Sequence, residues 1–203
     1  MKPSLHWQPT INAVFLLILC QLAFRPTSGY NPSTTTGSTY IAHCCRTTMY
    51  PQLCFKSLSC YAAEINNNPR ILANKALSIT LSSAKSTSVT IKKLSGSSGL
   101  THREAGAMAD CVSVVSDSVY ELQRSIVELS RNGGAEFARR MRDVQTWVSA
   151  ALTDENTCMD GFDEGKIGGG GVKKVVRGKI LKVAHLTSVA LALVNNFASN
   201  AKA

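Results

Sequence analysis

Glu104 to Leu129, EAGAMADCVSVVSDSVYELQRSIVEL, is the stretch that decides the fold. Apolar side chains recur in it at alternating steps of three and four residues, which places them along one seam of an amphipathic α-helix. The predicted seam consists of Ala105, Met108, Val112, Val115, Val119, Leu122, Ile126 and Leu129. Thr101 and Glu104 have the spacing of a capping box, and Cys111 lies beside the predicted seam. A helix that is polar on its other sides needs partner helices to bury such a seam.

Three further stretches carry the same helical period. They run from Pro69 to about Leu94, from Phe137 to Phe162 and from Val172 to about Ser199. In the second of these, Glu155 interrupts the apolar series, and we expect it to belong to a solvated acidic face. Four amphipathic helices joined by short loops predict an all-α, up-down-up-down four-helix bundle over residues 69–200.

The N-terminal part of the chain divides into three segments. Residues 1–29 resemble a secretory signal peptide, with an apolar run at 13–24 followed by small residues. We expect residues 30–38 to be a flexible leader and residues 39–67 to form a helical hairpin that bends at Tyr50-Pro51. The mature domain then spans 39–203, is secreted, and is expected to contain no membrane span.

Six cysteines remain after removal of the signal peptide, and an even number in a secreted chain favours disulfides. Cys45 and Cys54 flank the Tyr50-Pro51 bend, so a bond between them would staple the hairpin. Cys111 and Cys158 lie at the adjoining ends of two antiparallel helices, so a bond between them would lock those ends together.

Cys44 and Cys60 are the remaining two cysteines. They form a candidate third disulfide, or they stay free, or one of them bonds another molecule. A metal site is not predicted, because the chain has no Cys-x-x-Cys pair and His43 has no second histidine at a ligand spacing. No cofactor is predicted either.

Catalytic motifs are missing from the sequence, which contains no Gly-x-Ser-x-Gly elbow, no His-Glu-x-x-His and no Gly-Lys-Ser/Thr phosphate loop. We therefore expect that the protein is not an enzyme. Its formal net charge of +9 favours polyanionic partners, and a secreted protein is not expected to meet nucleic acid. A basic cluster in the fourth long helix is either a solvated face or a weak contact for an acidic polysaccharide. Its members are Lys173, Lys174, Arg177, Lys179 and Lys182.

Several motifs together resemble the plant invertase/pectin methylesterase inhibitor family over about residues 40–198. They are CRTTMYPQLC (45–54), ADC (109–111) followed by DSV (117–119), DVQTWVSAALTD (143–154) and TCMDGF (157–162). The resemblance implies a disulfide-stapled four-helix bundle with an N-terminal hairpin, bonded as Cys45–Cys54 and Cys111–Cys158. It also implies a non-catalytic protein of the cell wall and apoplast that binds a carbohydrate-active enzyme one to one and blocks its active-site cleft.

Two target enzymes divide this family. Its invertase inhibitors use a Pro-Lys-Phe segment that this sequence lacks, and residues 146–153 are similar to the pectin methylesterase side of the family. We therefore expect an inhibitor of pectin methylesterase that limits pectin de-esterification. The alternatives are an inhibitor of acid invertase and a helical wall protein that binds without inhibiting.

By analogy with the family, the target interface is expected on the polar faces of the second and third long helices. The candidate residues are Ser113, Ser116, Asp117, Tyr120, Arg124, Asp143, Thr146 and Ser149. Trp147 is expected to pack in the core or in a groove rather than to anchor the target.

Overall fold

A computed structural model describes residues 32–131, 134–163 and 171–200, and the expected signal peptide at 1–29 lies outside these ranges. Regular secondary structure in the described residues is entirely helical. The helices are α1 (Pro32–Cys45), α2 (Pro51–Leu58), α3 (Ala62–Ile65), α4 (Pro69–Ser95), α5 (His102–Ser130), α6 (Phe137–Asp163) and α7 (Gly171–Asn200). A 3₁₀ turn, Ser59–Tyr61, joins α2 to α3. The predicted all-α class and the four long helices are confirmed.

The four long helices pack in a closed ring. Each packs against the next one along the chain, and α7 packs back against α4. Side chains tie the ends of neighbouring helices together: Arg70 Nε, at the start of α4, donates to the carbonyl oxygen of Leu129, at the end of α5, over 3.0 Å. The short helices α1 to α3 lie mainly on α4 and α7. These short helices therefore leave the outer surfaces of α5 and α6 largely uncovered.

The start of α5 is fixed by the predicted capping box. The Glu104 amide donates to Thr101 Oγ1 over 3.2 Å, and the Thr101 amide donates to Glu104 Oε2 over 2.9 Å. These two bonds satisfy backbone donors that the first turn of a helix leaves open, which stabilises the helix by about 1 kcal/mol. The Thr101 amide and the Thr101 hydroxyl, which donates to Glu104 Oε2 over 2.8 Å, hold the pKa of the Glu104 carboxyl below its usual range.

In every second layer of α5, the buried residue is the one that directly precedes the residue predicted to be buried. The buried positions that follow the three-and-four spacing are Glu104, Met108, Cys111, Val115, Ser118, Leu122, Ser125 and Leu129. Ala105 is exposed, and Val112, Val119 and Ile126 are only half-buried. The prediction placed the more apolar residue in the seam wherever either of two adjacent positions fitted the helical spacing. In this helix the polar or small residues at 104, 111, 118 and 125, spaced by seven, occupy the buried layers instead.

The N-terminal hairpin begins earlier than expected. Helix α1 starts at Pro32, so the prediction of a flexible leader over residues 30–38 is wrong from Pro32 onward. The Thr-rich stretch is helical because it packs on α3. Gly37 is buried at this crossing, where a Cβ atom would overlap the backbone carbonyl of Ala62. A glycine therefore lets the two helices approach closely.

Two disulfides join described cysteines in the predicted pairing and stabilise the fold. Cys45 and Cys54 are bonded across the hairpin bend with Cα atoms 5.5 Å apart. Cys111 and Cys158 are bonded between α5 and α6 with Cα atoms 4.5 Å apart. The candidate third disulfide is wrong, because Cys44 carries a free thiol and is not bonded to Cys60. Burial raises the pKa of the Cys44 thiol, which also shares a hydrogen bond with Tyr40.

Helix α7 resembles a membrane-spanning helix in its length and apolar composition. It contains a stretch of mean hydropathy 1.4, long and apolar enough to cross a membrane by those two criteria. Half of this stretch, 50%, is buried inside the protein. Its contacts with α4 and α6 in the bundle core account for this apolar character.

Candidate functional site: the outer face of α5 and α6

The predicted interface residues of α5 lie on the outer surface of the helix. All five are exposed: Ser113, Ser116, Asp117, Tyr120 and Arg124. The side chain of Tyr120, the most apolar of the five, is 60% exposed. Their spacing of three or four residues places them along one stripe, opposite the buried seam. The structure therefore brings the five residues together on one continuous surface.

Arg124 joins this stripe to α6. Its guanidinium carbon lies 4.0 Å from the ring centroid of Trp147 and 5.4 Å from that of Tyr120. A guanidinium over an aromatic face is attracted to the negative charge of the ring face, and the contact limits its rotamers. Trp147 is half-buried, in agreement with its expected packing in a groove. The three side chains form a preorganised aromatic and cationic cluster, which we call the Arg124 stack.

The predicted residues of α6 are less uniform. Asp143 is half-buried, and its Oδ2 accepts from Arg139 Nη1 over 2.9 Å, so its charge is already paired. Thr146 and Ser149 are exposed. Ser149 lies one turn after Gln145, whose side chain donates to Asn195 of α7. It therefore faces the α7 side of α6, away from the Arg124 stack.

Two carboxyl groups that were not among the predicted site residues lie between α5 and α6 near this face. Glu121 of α5 and Asp154 of α6 lie close enough for each carboxyl to influence the pKa of the other. Burial and the neighbouring Asp154 raise the pKa of Glu121 to about 7. Burial, followed by the nearby Asp117, also raises the pKa of Asp154. The charge of Glu121 therefore changes near neutral pH.

Glu155 is buried in the core, and the expectation of a solvated position is wrong. Its side chain is 0% exposed. Oε1 accepts from Ser118 Oγ over 2.8 Å and lies 2.9 Å from Thr187 Oγ1, while Oε2 has no partner among the described residues. Burial raises the pKa of Glu155 to about 7, although both hydroxyls favour the ionised form. The signal was present in the sequence, since Glu155 continues the three-and-four spacing between Ala151 and Cys158.

The exposed side chains of this face are candidates for contact with a protein partner. Within the described ranges, no group of three or more histidine, cysteine or acidic side chains is placed to hold a metal ion. The ring of His185 stacks on Tyr50 with centroids 3.9 Å apart, so it packs the hairpin onto α7. An exposed stripe, an aromatic cluster and an intervening acid pair are features suited to binding a protein surface.

Comparisons with known proteins give consistent matches. The sequence profile described as plant invertase/pectin methylesterase inhibitor matches residues 39–193. Pectinesterase inhibitor 9 of Arabidopsis thaliana is 45% identical, covering 92% of this chain and 94% of the relative. The 21 kDa protein of Daucus carota is 46% identical over 80% of this chain and 86% of its own length. A crystal structure of a mutant form of an Arabidopsis pectin methylesterase inhibitor superposes with a TM-score of 0.62 at 21% identity, covering 76% of this chain and 95% of that one.

Proposed function

We propose that this chain, which belongs to the plant invertase/pectin methylesterase inhibitor family, binds pectin methylesterase one to one through the outer face of α5 and α6. The bound inhibitor blocks the active-site cleft of the enzyme and so limits the removal of methyl esters from pectin. The observation that carries this proposal is the family match over residues 39–193. The protein acts as an inhibitor and has no catalytic activity of its own.

The choice of target follows from the relatives. The Arabidopsis relative that is similar over 92% of this chain is named a pectinesterase inhibitor. The alternatives from the sequence, inhibition of acid invertase and wall binding without inhibition, gain no support from this match. Family membership implies an extracellular location in the cell wall, and we expect the mature protein in the apoplast after removal of residues 1–29.

The Arg124 stack is the proposed centre of the target interface. Tyr120 and Arg124 offer a large exposed aromatic ring and a cation held in place by Trp147. Side chains of these types carry much of the binding energy in protein interfaces, and a preorganised side chain loses less rotamer freedom on binding. Ser113, Ser116 and Asp117 extend the same exposed stripe toward the start of α5, and Thr146 is the exposed neighbour of Trp147 in the chain. We assign lesser roles to Asp143 and Ser149, because one is paired with Arg139 and the other faces α7.

An inhibition assay tests the proposal. The mature protein is titrated against purified pectin methylesterase and acid invertase, and we expect stoichiometric inhibition of the first enzyme only. A double variant, Tyr120→Ala with Arg124→Ala, should weaken inhibition by about 2 kcal/mol or more, which is about thirtyfold or more in the inhibition constant.

A matched control removes one large and one cationic side chain from another surface. Met49→Ala with Lys56→Ala changes two exposed residues of the hairpin region, and this variant should inhibit like the wild type. Full inhibition by the Tyr120/Arg124 variant would reject the assigned face, and absence of inhibition by the wild type would reject the function.

A further inference from the structure

The charges of the bundle are divided between two pairs of helices. Helices α4 and α7 contain no aspartate or glutamate, although each carries five lysine or arginine residues. Helices α5 and α6 carry five acidic residues each. Because α4 packs against α7, and α5 against α6, one side of the bundle is basic and the other side is acidic. The basic side is distinct from the face proposed to hold the target enzyme.

The groove between α4 and α7 changes character along its length. Near the hairpin it is a small apolar cleft, lined by Ser57, Leu58, Ala76, Ile79, Leu186 and Val189. Side chains seven residues apart lie on the same face of a helix, about 10.5 Å along its axis. Because the two helices are antiparallel, the next layer of this groove consists of Ser83 and Ser86 from α4 with Lys179 and Lys182 from α7. Thr90 and Lys93 follow on α4 one further layer along.

The hairpin covers only the apolar end of this groove. Its contacts with α7 include His185, which stacks on Tyr50, and Asn196, whose side chain donates to Thr47. Lys179 and Lys182 precede His185 along α7, so they lie beyond the edge of the hairpin. Among the described residues, the hairpin therefore leaves the groove uncovered from this edge toward the end of the bundle at which α4 ends and α7 begins.

The cations around the open part of the groove are accessible. Six exposed lysines of α4 and α7 form no salt bridge among the described residues: Lys85, Lys92, Lys93, Lys174, Lys179 and Lys182. The side chains between them are small and carry hydroxyl groups, with Ser83 and Thr90 half-buried and Ser86 exposed. Closely spaced like charges without partners create a positive potential that favours a polyanion.

We propose that this lysine groove, defined by Ser83, Ser86, Lys93, Lys179 and Lys182, binds a linear acidic polysaccharide of the polygalacturonate type. The lysines pair with uronate carboxylates, and the serine hydroxyls form hydrogen bonds with sugar hydroxyls. The choice of this polyanion rests on the proposed function, because removal of methyl esters from pectin leaves carboxylates on the polymer. The inhibitor then holds pectin on its basic side while its α5–α6 face holds the enzyme.

A binding experiment with matched triple variants tests the groove. The mature protein is passed over immobilised polygalacturonate, and its dissociation constant is measured at low and moderate salt. The groove variant is Lys93→Gln, Lys179→Gln and Lys182→Gln. The control variant, Arg46→Gln, Lys56→Gln and Arg142→Gln, removes the same charge from exposed positions elsewhere. We expect the groove variant to bind at least about tenfold more weakly and the control variant to bind within about twofold of the wild type.

Several outcomes would overturn the groove. One is equal weakening in both variants, which would mean that only net charge matters, and another is no weakening in either. Equal binding of the wild type to fully methyl-esterified pectin would also overturn it, as would groove-dependent binding to phosphatidylserine vesicles without binding to polygalacturonate. Inhibition of pectin methylesterase is measured on the same three proteins. Groove-dependent binding without inhibition would reject the proposed function alone, and inhibition without such binding would reject the groove alone.

Discussion

Replacement of Glu155 by glutamine is expected to remove the contribution of this one buried carboxyl from the pH dependence of the stability of the bundle. The pKa of this carboxyl is 4.5 in its ordinary environment and about 7 in the folded protein, where it is buried. As the pH rises above 4.5, the unfolded chain loses this proton first, while the folded protein keeps it until about pH 7. The unfolded state is therefore favoured progressively over this window, and stability falls as pH rises.

The size of the effect follows from the two pKa values. Each pKa unit corresponds to about 1.4 kcal/mol, so the buried carboxyl of Glu155 should lower the free energy of unfolding by about 3 kcal/mol between acidic and neutral pH. In Glu155→Gln the amide oxygen can still accept from Ser118 and Thr187, but it carries no titrating proton. We expect the variant to resemble the wild type near pH 4 and to exceed its stability by about 3 kcal/mol at pH 7.5.

Urea denaturation, followed by circular dichroism with the disulfides intact, measures this difference at a series of pH values. Asp160→Asn serves as the control, because it removes an exposed carboxyl of the same helix and should leave the wild-type pH profile unchanged. If Glu155→Gln lost stability with rising pH as steeply as the wild type, Glu155 would not be the group that titrates. An equal loss of stability at every pH would instead show that the substitution disrupts packing.

Three substitutions test other parts of the fold by the same denaturation assay. Replacing Cys111 and Cys158 together by serine opens a loop with a sequence separation of 47 residues, which should cost about 4 kcal/mol in the chain-entropy account, and a loss below about 1 kcal/mol would contradict it. Gly37→Ala should destabilise the protein by about 1–3 kcal/mol, because its Cβ would overlap the α3 backbone. Gly106→Ala is the matched helical glycine with open space around it and should stabilise by up to about 1 kcal/mol, so equal effects at the two glycines would refute the close crossing. Thr101→Ala should cost about 1 kcal/mol through loss of the helix cap, and an unchanged stability would show that the cap is not needed.

The sequence predicted the helices and the two disulfides well, because both depend on local patterns. Apolar periodicity marks a long helix regardless of its neighbours, and the positions of Cys111 and Cys158 near adjoining helix ends limited their pairing. The exact register of α5 was not predictable in the same way. Its stretch offers apolar residues at two adjacent positions in several turns, and only the packing of α6 selects between Cys111 and Val112, or between Ser118 and Val119.

Contacts between segments that are distant in the sequence account for the remaining differences between the predicted and the observed structure. The Thr-rich start of α1 has little helical signal of its own, and it is helical where Gly37 lets it approach α3. Glu155 looked like a surface acid because its hydroxyl partners come from two other helices. For the candidate site, the sequence located the exposed stripe of α5. The sequence did not predict the Arg124 stack or the position of Ser149 away from it. Both depend on how α6 is rotated about its own axis.

The Ser118–Glu155–Thr187 contact also bears on how the helices align lengthwise. Apolar side chains repeating every seven residues would pack almost as well if α6 slid by two turns along α5, since one aliphatic layer resembles the next. Such a slip would move Glu155 away from both hydroxyls and leave a buried carboxyl without donors. We expect the cost of that misplacement to exclude the shifted alignments, so that one polar layer selects a single register for three helices. Folding would then bring Cys111 opposite Cys158 before their thiols oxidise.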